Sequence, residues 1–168
     1  MKQRLLTVLS GVAIALVTPG AIAQSNNTGN TTYRCGTKQG IPVTLARTAT
    51  RGEVPFIYWR SDDLPPPLTA QQRCNEVSRR FQAYRDNGTL RYMTGGVMRG
   101  QPVICVAQRD GGSCTGLLLT LRPGSDPQRA LQRLIDLRGL DPDQLFNQSS
   151  GRPIYVNVED YLNRVPRD

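Results

Sequence analysis

The sequence predicts an α+β domain, a largely antiparallel sheet covered by two main helices and stapled by disulfides. Three observations carry that prediction. Apolar periodicities run in the order strands, helix, strands, helix, strand. The gaps between the first three strands are too short for the crossovers that parallel pairing needs. All four cysteines, Cys35, Cys74, Cys105 and Cys114, lie beyond a segment with the pattern of an export signal, and an even cysteine count in an exported chain reads as disulfides.

That segment comes first. Lys2 and Arg4 precede the apolar run from Leu5 to Val17, and Pro19-Gly20 leads to the small-x-small site Ala21-Ile22-Ala23. Residues 1–23 therefore read as a secretory signal peptide cleaved after Ala23. The run is shorter than the about 20 apolar residues of a membrane span, so the chain is expected to be exported and not integral to the membrane. No cysteine follows the site to take a lipid anchor. Residues 24–32 are polar, without an apolar anchor, and read as a disordered leader. Residues 33–168 have the length of a single domain.

Within the domain, Tyr33 and Cys35 alternate with Arg34, and Val43, Leu45 and Arg47 alternate with Thr44, Ala46 and Thr48. The run Val54 to Trp59 is rich in strand formers. With Gly40 and Gly52 between them, these three runs predict an antiparallel meander. Pro65-Pro66-Pro67 is a stiff, extended connector. It leads into the clearest helix of the chain, Thr69 to Asn87, where Ala70, Cys74, Val77, Phe81 and Tyr84 fall on one stripe. Thr69 followed by Gln72 is a capping-box pattern, Arg85 suits the last turn, and Asn87-Gly88 suits a left-handed close.

Beyond the helix, Leu90 to Met98 and Pro102 to Val106 bracket a two-residue turn, Arg99-Gly100, in which asparagine would fit the first position better. Gly95-Gly96 predicts a bulge or a close backbone approach. A second hairpin joins Ile104 to Ala107 with a return strand whose Leu117, Leu119 and Leu121 share one face. Asp126 as cap and Pro127 at the first helical position open a second helix, marked by Ala130, Leu131, Leu134, Ile135 and Arg138 and ended by Gly139. After a turn near Asp141-Pro142-Asp143, Ile154, Val156 and Val158 alternate as a strand, and Glu159 to Arg164 form a last helical turn.

Four cysteines allow three connectivities. Eight residues separate Cys105 from Cys114, an even number that lets a symmetric hairpin place them opposite each other, which leaves Cys35 for Cys74. A register one residue different would favour the crossed pairings. Zinc is not expected, because there is no Cys-x-x-Cys spacing and no histidine.

The lack of histidine also removes the usual general base, and oxidised cysteines cannot act as nucleophiles. No catalytic residue, metal or cofactor is therefore expected. Asp62-Asp63 beside Trp59 is a weak glycosidase pair, since adjacent carboxylates point apart, and Asp141 and Asp143 lack the rest of a calcium loop. Charge is more informative. The formal +8 falls to +6 without the signal, which carries Lys2, Arg4 and no acid, and Lys38 is then the sole lysine. Arg73 and Arg80 flank the apolar stripe of the opening helix with Glu76 between them, and Arg79 lies further out. A solvated, self-paired helix face is the plain reading. The functional reading is that Arg73, Arg79 and Arg80, joined by Arg129 and Arg133, meet an anionic membrane surface, an acidic polysaccharide or an acidic protein. Nucleic acid is not expected in an exported chain without a nucleic-acid motif. The expectation is a non-enzymatic interaction module, with a secreted hydrolase or inhibitor as the alternative.

Tyr33-Arg34-Cys35-Gly36, Trp59, the stretch from Arg73 to Phe81 and the stretch from Gly100 to Ala107 resemble the circadian oscillating protein family of cyanobacteria. Cys114, the Leu117 to Pro123 strand and the Ile154 to Leu162 ending fit as well, so the resemblance covers most of residues 33–162. It implies an exported, cysteine-bearing domain whose abundance follows a daily rhythm in the members that gave the family its name. It implies no catalytic residues.

Overall fold

A computed structural model describes residues 31–60, 68–136 and 152–166. The first three strands, β1 (Thr32–Lys38), β2 (Ile41–Thr48) and β3 (Gly52–Tyr58), form an antiparallel meander in the order β1-β2-β3. Gln39 and Gly40 both take positive φ, 50° and 76°, which makes the tight turn whose twist matches a hairpin. The helix α1 (Ala70–Asp86) follows, then β4 (Tyr92–Met98), β5 (Gln101–Ala107), β6 (Gly116–Thr120), α2 (Pro127–Asp136), β7 (Tyr155–Asn157) and α3 (Val158–Arg164). The later strands form a second antiparallel sheet ordered β6-β5-β4-β7. The α+β class holds, but the expected single sheet is two, because the connector after β3 leads into a helix and β4 pairs only with β5 and β7.

α1 fills the space between the two sheets, packing on β1, β2 and β6. Its predicted stripe is the buried one: Cys74, Val77 and Phe81 are buried, and Ala70 and Tyr84 pack partly against the core. At the centre, the Phe56 ring stands edge-on to Tyr33, Phe81 and Tyr161 at centroid distances of 5.8, 5.0 and 4.9 Å, and Tyr33 stacks on Phe81. A buried polar link runs beside it, with Trp59 Nε1 and Ser78 Oγ both donating to Thr44 Oγ1 at 3.0 and 2.9 Å. Thr44 is inaccessible to solvent, so these two bonds satisfy a hydroxyl whose burial would otherwise be costly.

The paired glycines of β4 mark a close approach and not a bulge, since the β4–β5 register runs through Gly95↔Ile104 and Gly96↔Val103 without a shift. A Cβ on Gly95 would lie 2.5 Å from the Pro127 carbonyl oxygen of α2, and one on Gly96 would lie 2.5 Å from Cys114 Sγ. Gly95 thus seats the start of α2. Asp126 Oδ1 caps that helix by accepting from Gln128 N (2.9 Å) and Arg129 N (3.2 Å), and Gln128 bridges Gly95 O and Ile154 N. The Arg99-Gly100 turn forms as expected, with the arginine held at a φ of 51°.

Two features of the second hairpin differ from expectation. A bulge between Ile104 and Cys105 makes Leu118 the extra residue of β6, and Leu118 is the deeply buried one while Leu119 and Leu121 pack only partly. The alternating face of Leu117, Leu119 and Leu121 is therefore interrupted. Cys105 also pairs with Leu117 across the ladder, not with Cys114. Cys114 instead precedes β6 and reaches Cys105 over the sheet face bared by Gly96. The disulfides are nonetheless Cys35–Cys74 and Cys105–Cys114, with Cα separations of 5.4 and 5.6 Å, and no free cysteine is left among the described residues.

The last segment joins the two sheets. β7 pairs with β4, Asn157 Oδ1 caps α3 by accepting from Glu159 N and Asp160 N, and Tyr161 reaches Phe56. Arg51, in the β2–β3 turn, closes the far end of α3 by donating to Leu162 O and, at 2.7 Å, to Val165 O. Pro65-Pro66-Pro67, Gly139 and Asp141-Pro142-Asp143 lie outside the described residues.

Candidate functional site

The capping box at Thr69 is complete: Gln72 N donates to Thr69 Oγ1 at 3.2 Å, and Thr69 N donates to Gln72 Oε1 at 2.8 Å. That fixes where α1 begins and places Arg73, Glu76, Val77 and Arg80, at helical spacings, along one side of it. They line a cleft of about 320 Å³. Its opposite wall comes from Gln101 of β5 and Leu119, Thr120 and Leu121 around the end of β6, with Leu68 and Pro123 at the margins. The volume is at the lower end of small-ligand sites.

The three arginines of the sequence reading have different fates. Arg73 is buried at 7% exposure, which corrects its placement on a solvated flank. The cause is that α1 lies between two sheets, so its buried face widens beyond the five-residue stripe to take in Arg73 and Ser78. Arg80 is half-buried, pairs with Glu76 and donates to Leu118 O at 2.9 Å. Its pairing and its strand contact are partly structural, and at this exposure the ion pair is worth a few tenths of a kcal/mol. Arg79 is exposed, lies outside the cleft lining and forms no ion pair among the described residues. Arg129 and Arg133 are exposed one turn apart on α2, also without an ion pair among the described residues, and neither lines the cleft. The structure thus brings together Arg73 and Arg80 and leaves Arg79, Arg129 and Arg133 apart from them. Glu76 is the sole acid of the lining among the described residues. Gln101 and Thr120 have no local signal in the sequence, because their place is set by the pairing of β5 with β6.

A second, larger groove of about 820 Å³ lies between the β2–β3 turn, the end of α1, the start of β4 and α3. Its lining mixes Arg85 and Arg91 with Asp86 and Glu159, and Tyr33 forms part of its wall. Burial pushes the Tyr33 phenol well above its ordinary range, and the Arg85 guanidinium offsets part of that. Because the folded chain holds this proton more tightly than the unfolded chain, its stability is intact below about pH 10 and falls as pH rises past it. Urea titrations at increasing alkaline pH are expected to show that fall in the natural protein and a smaller one in Tyr33→Phe.

Asp62-Asp63 lies outside the described residues, as do Asp141 and Asp143. Among the described residues, no group of three histidine, cysteine, aspartate or glutamate side chains is placed to hold a metal, and no helix is long and apolar enough to cross a membrane.

No curated protein and no solved structure matches the chain significantly. A family model described as circadian oscillating protein COP23 matches residues 32–163. That match begins at β1, ends within α3 and takes in all four cysteines and the whole cleft. By a match over most of its length, the chain belongs to the circadian oscillating protein COP23 family.

Proposed function

We propose that the chain is an exported, non-enzymatic interaction module that receives an acidic group of an envelope polysaccharide in the α1 cleft. One observation carries this reading. Two arginines, Arg73 and Arg80, line one concave site in which Glu76 is the one acidic residue among the described residues. Guanidinium pairs with carboxylate in a two-pronged geometry, and a partly buried site strengthens the pairing over that in open water. A sugar acid projecting from a chain can enter such a cleft, whereas a flat charged surface has little access to Arg73, a residue 7% exposed. Export is supported by the signal pattern of residues 1–23 and by two disulfides, which persist in oxidising compartments.

A second reading rests on a separate observation. Arg129 and Arg133 present two unpaired cations, among the described residues, on one exposed face of α2, which suits an anionic membrane surface. One experiment separates the two. Polygalacturonate and phosphatidylglycerol vesicles are titrated into the disulfide-intact protein at low salt. Arg80→Gln is expected to weaken polygalacturonate binding roughly tenfold, and Glu76→Gln, which removes the competing carboxylate, to strengthen it. Circular dichroism checks that both variants stay folded. Binding to vesicles alone, lost in the Arg129→Gln, Arg133→Gln pair, would favour the membrane reading, and binding to neither would refute both.

A further inference from the structure

The Cys35–Cys74 disulfide faces solvent from one side only. Cys74 is fully buried in the core, while Cys35 is partly buried at its edge. One exposed side chain of α1 reaches Cys35: Gln71 Nε2–H donates to Cys35 Sγ at 3.1 Å and also to the exposed Asn75 at Oδ1, 3.4 Å away. The Cys35 end of the bond therefore lies at a polar, partly exposed edge, and the Cys74 end lies in the same buried cluster as Val77 and Phe81. Thiol–disulfide exchange requires a thiolate to reach one of the two sulfurs, and which sulfur it reaches decides which thiol is released.

We propose that this bond is a thiol-exchange site of the folded protein, at which a thiolate-bearing partner is received by Cys35 Sγ. The attacking sulfur forms a bond to Cys35 Sγ as the bond to Cys74 Sγ breaks. The electron pair leaves on Cys74 as a thiolate, which takes a proton from water. The product is a mixed disulfide on Cys35 and a thiol on Cys74, and attack by Cys74 on Cys35 restores the original bond and returns the partner. A partner with a second thiol resolves the mixed disulfide and leaves both cysteines reduced, with the partner oxidised.

Glutathione is the probe. The folded protein is held with excess reduced glutathione at mildly alkaline pH, quenched with acid and mapped by mass spectrometry. The adduct on Cys35 is expected to exceed that on Cys74 roughly tenfold or more, because Cys35 is partly exposed and Cys74 is fully buried. The rate of its formation is expected to stay flat in urea below the unfolding transition, as native-state exchange requires. Adduct on Cys74 in comparable amount, or a rate that climbs with urea as global unfolding does, overturns the proposal.

Discussion

Gly95→Ala is expected to lower the unfolding free energy by about 3 kcal/mol, the upper part of the range for overpacking a closed site. The added methyl would meet backbone on every near side, 2.5 Å from Pro127 O and 2.8 Å from Gln128 N. Backbone cannot swing away as a long side chain can. Pro127 is fixed at the first position of α2, and Gln128 is tied to Gly95 O and to Ile154 N. Moving α2 outward would draw Leu131 and Ile135, both inaccessible to solvent, out of the core. Urea unfolding checks the effect through the midpoint at unchanged slope. Val97→Ala, on the same face of β4 but 67% exposed, is expected to change stability by no more than about 0.5 kcal/mol and serves as the control. A loss below about 1 kcal/mol in Gly95→Ala would mean that α2 is not rigidly seated.

Removing the Cys35–Cys74 bridge is expected to cost more than removing Cys105–Cys114. The first closes a separation of 39 residues and the second one of 9. The chain-entropy relation then assigns about 4 kcal/mol to the first and about 2.6 kcal/mol to the second. The first bridge also ties β1 to α1 across the core, whereas the second constrains one loop on a sheet face. Double alanine variants of each pair, compared by thermal and urea unfolding, should rank in this order. Equal losses would mean that strain or residual structure in the unfolded chain outweighs loop length.

What the sequence made legible was local. The start of α1 is written in Thr69 and Gln72, its end in Asn87-Gly88, and its buried stripe in five residues at helical spacing, so that helix needed no knowledge of its neighbours. The Arg99-Gly100 turn and the Asp126-Pro127 cap are equally self-contained. The misplaced features all depend on residues distant in sequence. Whether strands join one sheet or two is decided by where α1 inserts. Leu118 turns inward because of a bulge opposite Ile104, and Arg73 is buried because two sheets approach the helix from different sides. The cleft was half legible: the arginines were visible on the helix, but Gln101 and Thr120 reach it only through the β5–β6 register. Three arginines make structural contacts in the same way: Arg34 pairs with Glu53, Arg51 clasps α3 and Arg80 holds Leu118 O.

The clasp between Arg51 and α3 spans 111 residues from Arg51 to Leu162. It joins the β2–β3 turn to the last helix, whose Tyr161 fills the aromatic centre and whose preceding strand completes the second sheet. A chain that emerges from a ribosome or a translocation pore amino end first can form the meander and α1 early, but it cannot latch. Closure waits for residues 155–165, so a polypeptide cut short before them exposes Phe56 and the free edge of β4 and is a ready substrate for a protease. Completeness of synthesis is thereby read out as resistance to digestion.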